Sequence, residues 1–86
     1  MSIQVASEDS AVVSLCLLGK VSGAALGELR REIERALRMH KAITIDLSEV
    51  TLLDRHGLEF LVAQRRENVR LLNPPIYIER WIAREV

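Results

Sequence analysis

Apolar and polar positions follow two rhythms along this chain, and each change of rhythm marks an element. Residues 11–18, Ala-Val-Val-Ser-Leu-Cys-Leu-Leu, are rich in strand formers and lie between the polar cluster Ser7-Glu8-Asp9-Ser10 and Gly19. Residues 3–5 read as a short edge strand before that cluster. From Ala24 to about His40 the period lengthens: Leu26, Leu29, Ile33, Leu37 and His40 recur at three- and four-residue spacing, one stripe of an amphipathic helix. Glu28, Arg31, Glu32, Glu34, Arg35 and Arg38 fill its solvated side, with Glu34 and Arg38 at pairing distance, and Ser22 stands where it can cap the start. Strict alternation returns at residues 42–47, where Ile43, Ile45 and Leu47 interleave with Ala42, Thr44 and Asp46. Val50, Leu52 and Leu53 carry the apolar content on to Asp54. A second helix is expected from about Gly57 to Glu67, with Leu58, Leu61, Val62 and Arg65 on one face and Phe60 beside it. Val69 to Leu72 is a short strand, ended by Asn73-Pro74-Pro75. The last helix carries Ile78, Trp81 and Ile82 at helical spacing, and a proline suits its first turn.

The order is strand–strand–helix–strand–helix–strand–helix. Helix-linked strands pair in parallel through right-handed crossovers, and the opening strand pair adds an antiparallel neighbour. The expected fold is therefore a small α/β domain, a mixed and mostly parallel sheet of four or five strands with helices mainly on one side. Its 86 residues make one domain, 1–86.

Composition narrows the function classes. Apolar residues are 49% of the chain but aromatics only 3%, so the core must be aliphatic. Twelve basic and twelve acidic residues cancel, which argues against electrostatic capture of nucleic acid or of an anionic membrane. The single cysteine, Cys16, excludes an internal disulfide and reads as a small buried hydrophobe. Residues 1–4 show no secretory pattern, and the apolar run from Ala11 to Leu18 is too short to span a bilayer. A cytoplasmic setting follows as the expectation.

The segment 43–61, Ile-Thr-Ile-Asp-Leu-Ser-Glu-Val-Thr-Leu-Leu-Asp-Arg-His-Gly-Leu-Glu-Phe-Leu, says most about function. It is a strand, a short connection and a helix whose first turn is exposed, where free N–H groups and the positive end of the helix dipole gather. Asp54 can accept those N–H groups, and Gly57 permits a tight turn. The pattern Ile-Asp-Leu-Ser-x-Val-x-x-x-Asp-x-x-Gly in this setting resembles the STAS domain, the fold of bacterial anti-sigma-factor antagonists. In that family the turn typically reads Asp-Ser-Ser-Gly, and a partner kinase phosphorylates the second serine. Asp54 matches the family aspartate, Arg55 the first serine, His56 the phosphorylated serine, and Gly57 the glycine. The resemblance covers about residues 11–84, including the terminal strand, Asn-Pro turn and helix.

The resemblance implies a non-catalytic protein-binding regulator. It would bind an anti-sigma factor or serine kinase through residues 54–62, without the usual phosphoserine switch. The implied contact residues are Asp54, Arg55, His56, Gly57, Leu58, Glu59 and Val62, with Leu58 and Phe60 as apolar anchors if they prove exposed. Some STAS proteins lack the serine and serve as constitutive scaffolds, including a small subunit of a lipid-transport ABC complex. A scaffold bound to a transporter ATPase is thus the alternative.

Other chemistries find little support. His40, His56 and Cys16 lie on three different elements, without metal-ligand spacing, and the four glycines form no phosphate loop, so no metal and no cofactor is expected. An enzyme would need a deep pocket joining Asp46, Asp54 and His56. Arg65, Arg66 and Arg70 make a basic patch nearly balanced by Glu59 and Glu67. Tyr77 and Trp81 are expected to pack in or at the edge of the core. An exposed sheet edge would also allow a homodimer.

Overall fold

A computed structural model describes residues 1–65 and 68–85. Its elements are β1 (Ser2–Glu8), β2 (Val12–Val21), α1 (Leu26–Arg38), β3 (Ala42–Leu53), α2 (Arg55–Gln64), β4 (Val69–Leu72) and α3 (Ile76–Glu85), with a single 3-10 turn at Gly23–Ala25 before α1. Four strands form one sheet in the order β1-β2-β3-β4. β1 pairs antiparallel with β2, whereas β2–β3 and β3–β4 are parallel. This is the expected mixed, mostly parallel sheet.

The period-2 pattern sorts the sheet into two faces. Val13, Leu15 and Leu17 of β2 and Ile43, Ile45 and Leu47 of β3 are all buried. They join Leu26, Leu29, Ile33 and Ala36 of α1, Leu58, Phe60 and Leu61 of α2, and Ile78 and Ile82 of α3 in one cluster. All three helices therefore cover the same sheet face. The opposite face shows Ser14, Cys16, Thr44 and Asp46, each half-buried. Cys16 sits there between Gln4 and Asp46, so it is not the fully buried hydrophobe expected of it. Burial pushes its thiol pKa up, with Asp46 and Glu49 adding to the effect.

Several boundaries moved. β3 runs on to Leu53, well past residue 47. Register shifts opposite it, between Cys16 and Leu18 and between Gly19 and Lys20, break the simple alternation. Ser48 and Glu49 are both exposed, and Val50 and Leu53 turn back into the core. α1 stops at Arg38. His40 then adopts the left-handed conformation, φ 56, and is exposed, so it is not on the helical stripe. Ala36 takes the core position instead. Ser22 precedes the 3-10 turn but makes no side-chain cap. α2 begins at Arg55, two residues earlier than expected, because Asp54 caps it; residues 66 and 67 of the predicted helix lie outside the described residues.

The ends of the chain are tied down by charge and by turns. Glu8 of β1 receives Arg35 of α1 at 3.0 Å and Lys41 at 2.7 Å, and Arg35 also meets Glu32. Asn73, at φ 52, closes β4, and the carbonyl of Pro75 accepts the Glu79 N–H at 2.9 Å to start α3. Trp81 packs half-buried against the core, as expected, but Tyr77 is 47% exposed. Its hydroxyl donates to the Val50 carbonyl at 3.3 Å, which ties the first turn of α3 to β3.

Candidate functional site

β3 ends by delivering Asp54 to the first turn of α2. The Asp54 backbone is extended, φ −88 and ψ 175, which is the geometry of a helix cap. Its Oδ1 accepts the Gly57 N–H at 2.7 Å, and its Oδ2 accepts the Gly23 N–H at 3.1 Å. Its own N–H donates to the Val21 carbonyl at 3.1 Å, and its carbonyl accepts from Leu58 at 2.9 Å. One residue thus fastens the loop after β2 to the start of α2. These contacts favour the ionised form: the Gly57 N–H first, then the Gly23 N–H, hold the carboxyl below its ordinary pKa, with smaller help from His56 and Lys20.

Gly57 lets this junction close. A Cβ there would lie 2.8 Å from the Val21 carbonyl oxygen and 2.9 Å from Leu53 Cδ1. Such distances leave no room for a side chain, so the first turn of α2 can seat directly on the end of β2.

The helix after the cap has a buried and an exposed side. Gly57, Leu58, Phe60 and Leu61 face the core. Leu58 is 0% and Phe60 8% exposed, so the apolar anchors expected here are structural and hold α2 in place. Val62 is half-buried against the same core. Arg55, His56 and Glu59 are exposed, and Arg55 Nε meets Glu59 Oε1 at 3.2 Å. Of the expected contact residues, then, Arg55, His56 and Glu59 project outward, Asp54 builds the turn, and Gly57, Leu58 and Val62 support it from below.

The structure adds residues that sequence reasoning missed. The His56 side chain rests on Gly23, where an added Cβ would approach His56 Cβ at 3.1 Å. Between the 3-10 turn with α1 on one side and α2 on the other runs an open groove, lined by Gly23, Gly27, Arg30, His56, Phe60 and Ala63 among others. The Arg30 guanidinium lies 5.4 Å over the centre of the Phe60 ring. No local sequence signal links Gly23 or Arg30 to the 54–62 segment; only the parallel β2–β3 pairing brings them there.

The catalytic constellation is not assembled. Asp46 lies on the opposite sheet face, and its Oδ1 accepts the Ser48 N–H at 2.9 Å. That hydrogen bond, more than a further one to Asn73, keeps its pKa below the ordinary value. Seven strand residues separate it from the end of β3, a span of roughly 20 Å that puts it out of reach of His56. Among the described residues, no three of His, Cys, Asp and Glu gather as a metal site would require, and no helix is long and apolar enough to cross a membrane. Arg65 and Arg70 are exposed and line a second groove with Glu79, while Arg66 lies outside the described residues.

Comparison with known proteins points to a family. The profile named "Mlab, STAS domain" matches residues 3–79. A solved structure of the anti-sigma factor antagonist SpoIIAA in its unphosphorylated form superposes with a TM-score of 0.75 at 19% identity, covering 95% of this chain and 82% of that one. No curated protein matches the chain.

Proposed function

This chain belongs to the STAS domain family, and from that membership we propose that it is a non-catalytic protein-binding regulator of the anti-sigma-factor-antagonist type. The observation that carries the proposal is the split character of α2: its inner side is locked in the core, and Arg55, His56 and Glu59 stand exposed at its start. A rigid, capped first turn presents these side chains at low entropic cost, which suits a recognition surface. The partner is an anti-sigma factor or serine kinase, so the protein acts in the cytoplasm.

Position 56 carries an imidazole where the resembling proteins carry the phosphorylated hydroxyl. Control therefore comes from abundance, from the partner or from His56 itself, since phosphoserine cannot form there. The same substitution favours a second reading, a scaffold held permanently on the ATPase of an ABC transporter, because a constitutive subunit has no need of the switch.

Affinity capture from the native cell, with bound proteins identified by mass spectrometry, separates the two. The comparison bait is R55E/H56E, whose changes are on the surface and leave Leu58 untouched. Recovery of an anti-sigma factor or serine kinase on the wild type alone supports the antagonist. Recovery of a transporter ATPase supports the scaffold. Identical proteins on both baits would remove the start of α2 as the contact face.

A further inference from the structure

We propose that the occupant of the groove between α1 and α2 is an acidic segment of the partner protein, whose carboxylate pairs with Arg30. This rests on the reading of α2's start as the partner face and specifies what that face takes.

Asp54 points its two oxygens at the Gly57 and Gly23 N–H groups. Glu59 is engaged by Arg55 at 3.2 Å. Asp54 and Glu59, the described carboxylates at the start of α2, are thus already occupied, and Glu59 is the one that lines the groove. Arg30 is exposed, and among the described residues no carboxylate lies within ion-pair distance of it. Its guanidinium is nevertheless held in place, 5.4 Å above the Phe60 ring, and Phe60 is itself anchored in the core. A guanidinium stacked on an aromatic face keeps its in-plane N–H donors available for a bidentate carboxylate. Its side chain is also partly pre-ordered, which lowers the entropic cost of pairing.

The groove's shape suits a polypeptide. Gly23 and Gly27 on one wall and Ala63 on the other present little side chain, so a partner backbone can come close. His56, seated against Gly23, forms one end of the groove and offers a further hydrogen bond.

The test uses the full chain, labelled with 15N, and a synthetic amphipathic helical peptide with Leu and Ala on one face and Glu along its flanks. The same peptide with Gln in place of Glu is the control. The Glu peptide is expected to shift the amide signals of Gly23, Gly27 and Ala63 and the Arg30 side-chain signal, and added salt is expected to weaken it. The Gln peptide and the R30Q variant should each bind roughly two- to fivefold more weakly, the range for an exposed charge pair. Because Arg30 is exposed, R30Q should leave the spectrum unchanged away from Arg30 and the Phe60 ring it covers.

Equal binding of the two peptides, or an R30Q variant that binds like wild type, overturns the acidic occupant. In that case, shifts still confined to the groove would leave the protein-binding reading intact. Shifts elsewhere for every peptide would remove both. Inorganic phosphate or a single-stranded oligonucleotide moving the same signals more strongly than the Glu peptide would also overturn the proposal.

Discussion

Replacing Gly57 with alanine sets two opposing effects against each other at the start of α2. Alanine is favoured over glycine within a helix by up to about 1 kcal/mol. Against this, the added methyl would fall 2.8 Å from the Val21 carbonyl oxygen and 2.9 Å from Leu53 Cδ1. The carbonyl cannot swing aside cheaply, because it accepts the Asp54 N–H at 3.1 Å, and Asp54 in turn holds Gly57. Overpacking of this kind costs about 1–3 kcal/mol, so even after the full helix gain Gly57→Ala should be destabilising by up to about 2 kcal/mol net. For a domain of this size each kcal/mol is a fall in Tm of about 4–8 °C. Gly27→Ala is the control: its Cβ would meet only the flexible Arg31 Nη1, at 4.0 Å, and a gain of a few tenths to about 1 kcal/mol is expected. Urea and thermal unfolding of both variants decide the matter. A Gly57→Ala protein as stable as wild type, beside a stabilised Gly27→Ala, would refute the claim that close approach to β2 defines this turn.

Leu58→Ala should cost about 2–5 kcal/mol in urea unfolding, because Leu58 is fully buried and supports the contact face from beneath. Gly19 has φ +84 with nothing within 4 Å of an added Cβ, so Gly19→Ala should cost about 1–2 kcal/mol from backbone conformation alone, read as a lower urea midpoint. Hydrogen bonds from Arg35 and then Lys41 lower the Glu8 pKa from 4.5 to about 2. The folded state thus resists protonation that the unfolded chain accepts, so this stabilisation is complete above about pH 4.5 and disappears as the pH falls toward 2. Urea midpoints measured across that range should fall less steeply for Glu8→Gln than for wild type, and equal slopes would show that the carboxylate gives no such support.

The fold was legible because its periodicities are clean. The alternation at Ile43, Ile45 and Leu47 and the helical spacing of Leu26, Leu29 and Ile33 state which face is buried without any knowledge of neighbours. What stayed hidden depends on partners distant in sequence. The extension of β3 to Leu53 follows from register shifts in the facing strand, which its own residues do not encode. Leu58 and Phe60 lie in a short helix buried widely enough that a one-stripe reading cannot say which apolar residues face out. The cap at Asp54 and the glycine at 57 were visible as local chemistry. The groove was not, because Gly23 and Arg30 reach it only through the folded sheet.

The sheet order is also the order of synthesis, since β1, β2, β3 and β4 lie side by side as they occur along the chain. No strand has to be threaded between two that are already placed. Each strand pairs with the one before it in the chain, so no pairing has to close a loop longer than a single connection. The final helix behaves differently. Ile78 and Ile82 follow β4 in the chain and close the core from α3. A chain cut before Ile76 would therefore leave the apolar face they cover open to water. Such a truncated species, more than the finished domain, is where a chaperone or protease would find something to grip.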